Sequence, residues 1–350
     1  MSDNTIKINR IPSLTWNWLK MNETEIEVKP VCVPEDDFKV NVPADVTFET
    51  GPADHCSDIK GALGEVFDED MKQISGHTDI IRVGEGVKCK EPVVIYGDFK
   101  RECAAFNRYV IEAGKDSELT VLIELSSDDT LKCRGCIQML IRAEEGAVVH
   151  MVQSNMLGKN SDVLSDIGAI AEEDARIELA HIFLGGADIY QGCNIDLKGD
   201  RSSVKKDIGY FLDGDQNLDM NYVVLHKGKK TECDIKVSGV LKGNSSKLFR
   251  GTIDFQNGCA GSKGAEIEEV IMRDDTVSNK TIPVILCAEE DVEGSHGATI
   301  GRLDEELIFY MQTRGFEEEE IYRMISRNRL LAFCNKIPDE EIRSRTMNFK

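Results

Sequence analysis

The sequence predicts a mainly β protein, in which a parallel β-helix lies between helical segments at the two ends of the chain. Between residues 78 and 301, short strands alternate apolar and polar side chains with a period of two. Three segments of this region resemble one another at intervals of about 30 residues, as expected for stacked coils. Helical periodicity is confined to the ends, which excludes an α/β alternation. A β-sandwich or jelly roll remains the alternative, because short strands with regular turns suit it too.

The internal repeat favours the solenoid. Aligning residues 111–119 with 141–149 and 170–177 gives intervals of 30 and then 29 residues. Each copy is a strand, a charged turn and a small residue that leads into another strand, so stacked copies would bury one continuous inner column. The clearest strands of this body are Val93–Tyr96, Leu119–Ile123, Val148–Met151, Ile177–Ala180 and Val223–Leu225. Residues 78–301 are therefore assigned to the β-helix core.

Residues 1–77 are expected to form an N-terminal arm and a helical cap. The arm holds both tryptophans, Trp16 and Trp18, and we expect it to pack onto another surface. Residues 57–74 carry apolar side chains at spacings of three and four, which predicts an amphipathic helix. Gly76 is a suitable end for this helix, because glycine adopts the left-handed conformation that follows many helices.

Residues 302–350 are expected to form a small helical unit. One apolar helical face spans residues 303–311 and ends at Gly315, and a second spans residues 321–334 and ends before Pro338. Because the ends of a solenoid must be covered, capping is the simplest interpretation of both flanking regions.

Composition excludes two classes of partner. The chain carries 42 Lys and Arg against 63 Asp and Glu, a formal net charge of −21 at pH 7. Nucleic acid and anionic membrane surfaces both require a clustered basic surface, so neither is an expected partner. No apolar run approaches the roughly 18 residues of a membrane-spanning helix, and the N-terminus lacks an apolar signal core. The protein is therefore expected in the cytoplasm, with its eleven cysteines as reduced thiols.

Searches for catalytic motifs fail in an informative way. The chain has no phosphate-binding GxxxxGK[ST] motif, so it is not expected to bind a nucleotide itself. Cys133 and Cys136 form a CxxC pair, but residues three apart on a strand face opposite sides unless Gly135 forms a bulge. We therefore expect two packing cysteines. The acidic pairs Asp128-Asp129 and Asp274-Asp275 leave one enzymatic alternative, a β-helical polysaccharide lyase or hydrolase.

The densest group of metal-ligating residues lies between residues 287 and 301. Within ten residues it combines the thiol of Cys287, four carboxylates including that of Glu293, and the imidazole of His296. Thiolate and neutral imidazole both suit iron. The structural alternative is a solvated acidic turn followed by a core histidine.

Residues 295–315, with the sequence SHGATIGRLDEELIFYMQTRG, look like the C-terminal signature of the SufB/SufD family of iron–sulfur cluster assembly proteins. The resemblance implies a right-handed parallel β-helix, a two-fold assembly through that β-helix, and C-terminal helices that dock on the ABC-type ATPase SufC. It therefore implies a scaffold, not an enzyme. The residues expected at the ATPase contact are Arg302, Leu303, Phe309, Tyr310, Arg314 and Gly315.

The resemblance also implies a role for the ligand-rich segment. His296 matches the SufD-type histidine at the scaffold interface, and Cys287 and Glu293 are the further candidate ligands of a transient iron–sulfur cluster. The segment at residues 272–275 lacks the cysteine of SufB-type members, and Gly294 stands where SufD-type members often have cysteine. The chain thus resembles a short SufD. Its two-fold partner is expected to be a second copy or a SufB-type homologue, and a donor protein would supply sulfur.

Overall fold

The computed structural model describes residues 5–13, 17–27 and 38–349. They form a parallel β-solenoid with helices near its two ends, so the predicted fold class is confirmed and the sandwich alternative is wrong. Trp16 lies outside the described residues. Trp18 lies in a short 3₁₀ helix, Asn17–Leu19, and its side chain is 95% exposed, so it packs onto no surface of the described residues.

Twenty strands are present in the described part of the chain. The N-terminal strands are β1 (Thr5–Ile8), β2 (Thr24–Glu27), β3 (Phe38–Asn41) and β4 (Val46–Pro52). The solenoid strands are β5 (His77–Val83), β6 (Val93–Phe99), β7 (Ala104–Ala113), β8 (Glu118–Ser127), β9 (Arg134–Ala143), β10 (Val148–Met156), β11 (Asp162–Ala171), β12 (Arg176–Phe183), β13 (Asp188–Leu197), β14 (Ser203–Leu212), β15 (Asn217–His226), β16 (Glu232–Leu241), β17 (Ser246–Phe255), β18 (Ser262–Met272), β19 (Ser278–Cys287) and β20 (Val292–Gly301).

The solenoid wall consists of two sheets of nine strands each. The odd-numbered strands from β5 to β19 form one sheet and the even-numbered strands from β6 to β20 form the other, so each successive pair of strands completes one turn. Neighbours within a sheet are parallel, except that β3 and β4 close the N-terminal edges in antiparallel fashion. Equivalent residues therefore stack in columns about 4.8 Å apart.

The space between the sheets holds the main hydrophobic core. Side chains at alternate positions of each strand point inward, as Ile177 and Leu179 do on β12 and Val204 and Ile208 do on β14. This alternation is the period of two seen in the sequence, and it confirms the predicted strands.

The third copy of the predicted repeat is wrong by one residue. Ile111 stacks on Ile141, which stacks on Ala169, so the second interval runs from 141 to 169 and is 28 residues long. These three side chains face the core, whereas Ile170 packs on the outer face beside Ile59. A shift of one residue moves a strand's side chains to the opposite face, so burial decides the register.

One corner of the solenoid is built from left-handed residues that stack from turn to turn. Their φ angles lie between 54° and 77°, and the set is Gly86, Asp116, Gly146, Asp174, Arg201, Lys230 and Gly261. Each backbone N–H donates to a carbonyl oxygen of the next turn, as Asp116 does to Glu145 at 2.8 Å. The charged turns of the repeat are these corners, which join successive turns through backbone hydrogen bonds.

The N-terminal helix α1 (Glu65–Ser75) is shorter than the predicted span of 57–74. It ends at Gly76, where φ is 65°, as expected. Residues before Gly64 are not helical, because the buried carboxylate of Asp166 accepts hydrogen bonds from the backbone N–H groups of Ala62 and Leu63 at 2.8 and 3.0 Å. This contact holds the preceding loop in a non-helical path across the odd-numbered sheet.

The C-terminal unit contains three helices: α2 (Glu305–Thr313), α3 (Glu318–Cys334) and α4 (Glu340–Asn348). The first two were predicted, and α4, which follows Pro338, was not. Helices α3 and α4 pack on the outside of the even-numbered sheet through Phe333 and Ile342. Among the described residues, no helix is long and apolar enough to cross a membrane.

Candidate functional site

The last coil of the solenoid presents an open edge. Among the described strands, β20 pairs only with β18, and its residues from Glu293 to Ile300 are exposed. The neighbouring edge strand β19 likewise has β17 as its one described partner. Unpaired backbone groups on such edges are a template for pairing with another chain.

His296 lies near the middle of β20, in register with Glu266 of β18. In-register residues of parallel strands project to the same face, and the side chain of Glu266 is buried inside the solenoid. His296 therefore lies on the inner face of the last coil, where no further coil covers it, and it is exposed. The alternative interpretation as a buried core histidine is wrong.

The other two candidate ligands lie elsewhere on the same rim. Cys287 ends β19, is exposed, and donates its Sγ–H to the carbonyl oxygen of Glu289 at 3.0 Å. Glu293 forms an ion pair with Lys263 at 3.0 Å and, three residues from His296, lies on the outer face of β20. In the described part of the chain, Cys287, Glu293 and His296 do not bring their ligand atoms within 4.8 Å of one another. Their role as cluster ligands stays a prediction.

Next to His296, inside the solenoid, lies a row of ionisable side chains that the sequence analysis did not predict. Glu266 and Glu268 both point into the solenoid from β18, and Glu268 forms a fully buried ion pair with Lys247 of β17. Burial and the nearby Glu268 together raise the pKa of Glu266 to about 8, so Glu266 carries a proton at neutral pH. The same burial lowers the pKa of Lys247.

The polar row continues with Lys206 of β14, which is fully buried. Its ammonium group lies 5.2 Å from the centre of the Tyr222 ring, and it interacts electrostatically with Cys193 and Cys233. Burial raises the pKa of both thiols, to about 12 for Cys233, and Lys206 opposes that shift. These thiols therefore stay protonated.

A signal for these inner charges exists in the sequence. Lys206 is in phase with the apolar inward residues Val204 and Ile208, and Glu266 and Glu268 are in phase with Val270. The period of two thus marks them as inward, although charged residues on strands are usually exposed.

The remaining sequence candidates are structural. Cys133 packs in the inner core and Cys136 under α1 on the outer face, so the CxxC pair does not converge, as expected. Asp128 accepts two hydrogen bonds from Thr130, at 2.8 Å from N and 2.6 Å from Oγ1, and these lower its pKa.

The second acidic pair is also engaged in local structure. Asp274 accepts a hydrogen bond from the backbone N–H of Gly243 at 2.6 Å, and Asp275 is paired with Arg302. Both acidic pairs are engaged in local structure, so the enzymatic alternative gains no support from the geometry.

Helix α2 carries an apolar surface that nothing in the described chain covers. None of its residues is buried, and Phe309 and Tyr310 are 69% and 53% exposed. Ile308 and Leu303 face the other way and pack against the cluster around Tyr322 on α3.

The two residues that follow α2 are exposed as well. Arg314 lies over the Tyr310 ring at 5.2 Å, and Gly315 turns the chain with a φ of 91°. The segment predicted to contact a partner therefore packs on α3 along one side, and its other side is exposed.

These features define a class: a parallel β-solenoid with an open strand edge, a row of buried ionisable side chains behind it and a helix with an exposed apolar face. Residues 97–328 match the family model described as SUF system FeS cluster assembly, SufBD core domain. The chain belongs to the SufB/SufD family of iron–sulfur cluster assembly proteins.

Relatives in the family are distant and longer. The chain is 24% identical to SufD of Bacillus subtilis over 269 residues, which cover 76% of this chain and 62% of that protein. It is 27% identical over 178 residues to a chloroplastic SufBD family protein of Arabidopsis thaliana, covering 49% of this chain and 31% of the relative. The chain thus spans less than two thirds of the length of these relatives.

Proposed function

We propose that this chain is a scaffold subunit for iron–sulfur cluster assembly that works with an ABC-type ATPase of the SufC kind. The observation that carries the proposal is the uncovered apolar face of α2. A helix of nine residues with no buried residue and with two exposed aromatic side chains is stabilised by a partner. The chain has no nucleotide-binding motif of its own, so the partner would supply ATP hydrolysis and this chain would not act as an enzyme.

We further propose that the open β19–β20 edge pairs with a second scaffold chain, either another copy or a SufB-type homologue. Cys287, His296 and Glu293 lie on this rim without converging, so a complete ligand set would need side chains from both chains. A mixed set of thiolate, imidazole and carboxylate would hold a nascent cluster weakly enough for release. A sulfur donor protein in the cytoplasm would complete the system.

The ATPase contact is tested by a binding titration with the purified ATPase subunit. The double variant Phe309→Asp/Tyr310→Asp should weaken binding by about 100-fold or more, because buried aromatic anchors each contribute about 2 kcal/mol to binding. Trp18→Asp is the matched control, since Trp18 is also an exposed aromatic residue but lies on the N-terminal arm. Unchanged affinity of the double variant, with its folding verified by circular dichroism, would overturn the proposed contact.

A further inference from the structure

A second group of metal-ligating side chains lies near the N-terminal end of the solenoid. His55 and Cys56 belong to the loop between β4 and α1, and Glu112 lies on the outer face of β7. Their ligand atoms, an imidazole nitrogen, a thiol sulfur and a carboxylate oxygen, lie within 4.8 Å of one another. In the odd-numbered sheet, β7 and the edge strand β19 are six strands apart, so this cluster lies about 29 Å from the C-terminal rim.

The distances suit a tetrahedral ion after a small adjustment. His55 Nε2 lies 2.8 Å from Glu112 Oε1, and Cys56 Sγ lies 3.9 Å from the same oxygen. Ligand atoms around a tetrahedral zinc ion are about 3.3–3.8 Å apart, so the His55–Glu112 contact needs to open by about 0.5 Å. All three residues are half-buried, which leaves the fourth position to water.

Hydrogen bonds from a buried arginine hold the loop that carries His55 and Cys56. Buried Arg108 donates from Nη2 to the carbonyl oxygen of His55 at 2.9 Å, and from Nη1 to the hydroxyl of Thr78. Cys56 has a φ of 55°, an unusual conformation for a residue with a side chain. Such strain concentrates at functional sites, where the surrounding structure maintains it.

Ion pairs surround the cluster. Arg82 contacts Glu112 at 2.7 Å and Glu49 at 2.6 Å, and Arg142 contacts Asp58 at 2.6 Å. These ion pairs fix the position of the Glu112 carboxylate and of the loop beside it.

We propose that His55, Cys56 and Glu112 form a binding site for one divalent transition-metal ion of the zinc class. The ion would link the β4–α1 loop to the outer face of the odd-numbered sheet. Nitrogen, sulfur and oxygen ligands with one open position are the donor set that zinc and cobalt share.

The test is a titration with Co²⁺ alone, under anaerobic reducing conditions, in the background Cys287→Ser/His296→Ala. This background removes the exposed thiol and imidazole of the C-terminal rim. We expect one equivalent of Co²⁺ to produce a thiolate-to-metal charge-transfer band in the near ultraviolet. Adding Cys56→Ser should abolish the band, and adding His55→Gln should weaken the affinity by at least about 100-fold.

Cys89→Ser is the matched control, because Cys89 is also half-buried, and it should bind Co²⁺ like the background protein. Circular dichroism without metal verifies that each variant is folded, and His55→Gln carries the test if Cys56→Ser does not fold. Absence of the band in the background protein, its persistence in Cys56→Ser, or unchanged affinity in His55→Gln overturns the proposal. Because the rim ligands are already removed, the outcome does not depend on the proposed scaffold function.

Discussion

Replacing Glu266 with glutamine should stabilise the protein at neutral pH, an unusual result for a change at a buried polar residue. Glu266 is inside the solenoid, and its carboxylate oxygen lies so close to Gly251 that a Cβ there would meet it at 1.8 Å. Its pKa is raised to about 8 by burial from an ordinary value of 4.5. Glutamine keeps the size and the neutral charge that the native side chain has at pH 7.

The size of the stability gain follows from the difference in proton binding by Glu266 between the folded and unfolded states. Between pH 4.5 and about 8 the folded protein keeps a proton on Glu266 that the unfolded chain releases, so stability falls as pH rises through that window. At pH 7 the interval is about 2.5 pH units, and at 1.36 kcal/mol per unit the penalty is about 3 kcal/mol. Glu266→Gln removes this penalty. With an unfolding entropy of about 0.7 kcal/mol/K for a chain of this length, Tm should rise by about 4–5 °C.

The assay is thermal unfolding of wild type and Glu266→Gln at pH 5 and pH 7.5. The gain should be about 5 °C at pH 7.5 and only about 1 °C at pH 5, because pH 5 lies about 0.5 pH unit above the unfolded pKa and the penalty there is about 0.7 kcal/mol. Glu232→Gln, on the exposed start of β16, should shift the unfolding free energy by no more than about 0.5 kcal/mol at either pH. A lower Tm of Glu266→Gln at pH 7.5, or a shift that does not depend on pH, would refute the reasoning.

Three further predictions concern the rim and the docking helix. His296→Ala should lower cluster yield in anaerobic reconstitution with the ATPase and a sulfur donor, while Tm changes little because His296 is exposed. Wild-type yield in both His296→Ala and Cys287→Ser would place the site elsewhere. Light scattering should give a mass of about twice 39.0 kDa. Gly297→Arg should shift this mass toward that of the monomer. A Cβ at position 297 meets nothing within 4 Å in one chain, so the arginine fits the monomer and obstructs only the pairing at the edge. A wild-type monomer, both alone and with a SufB-type protein, would contradict the edge pairing. Deleting residues 303–350 should abolish ATPase binding and keep the β-sheet signal, and retained binding would exclude the C-terminal helices.

Local pattern determined the architecture. The period of two over 78–301 and the repeat of about 30 residues predict stacked strands, because each coil must bury one face against the core. Gly76 ends α1 as expected, since its left-handed φ is a local property of the chain. The signature at residues 295–315 identifies the family without any structure. These features depend on neighbours in sequence, so they can be read directly from it.

Tertiary contacts decided where the chemistry lies. His55 and Glu112 are 57 residues apart and meet only because the β4–α1 loop folds across β7. Cys287 and His296 are close in sequence but lie on different sheets, because the chain passes from one sheet to the other between them. Lys206 and Glu266 are ionisable residues that nevertheless point inward, since a strand's alternation assigns each side chain to a face whatever its polarity. Distances across the solenoid depend on loop paths and strand register, which no local pattern of residue types specifies.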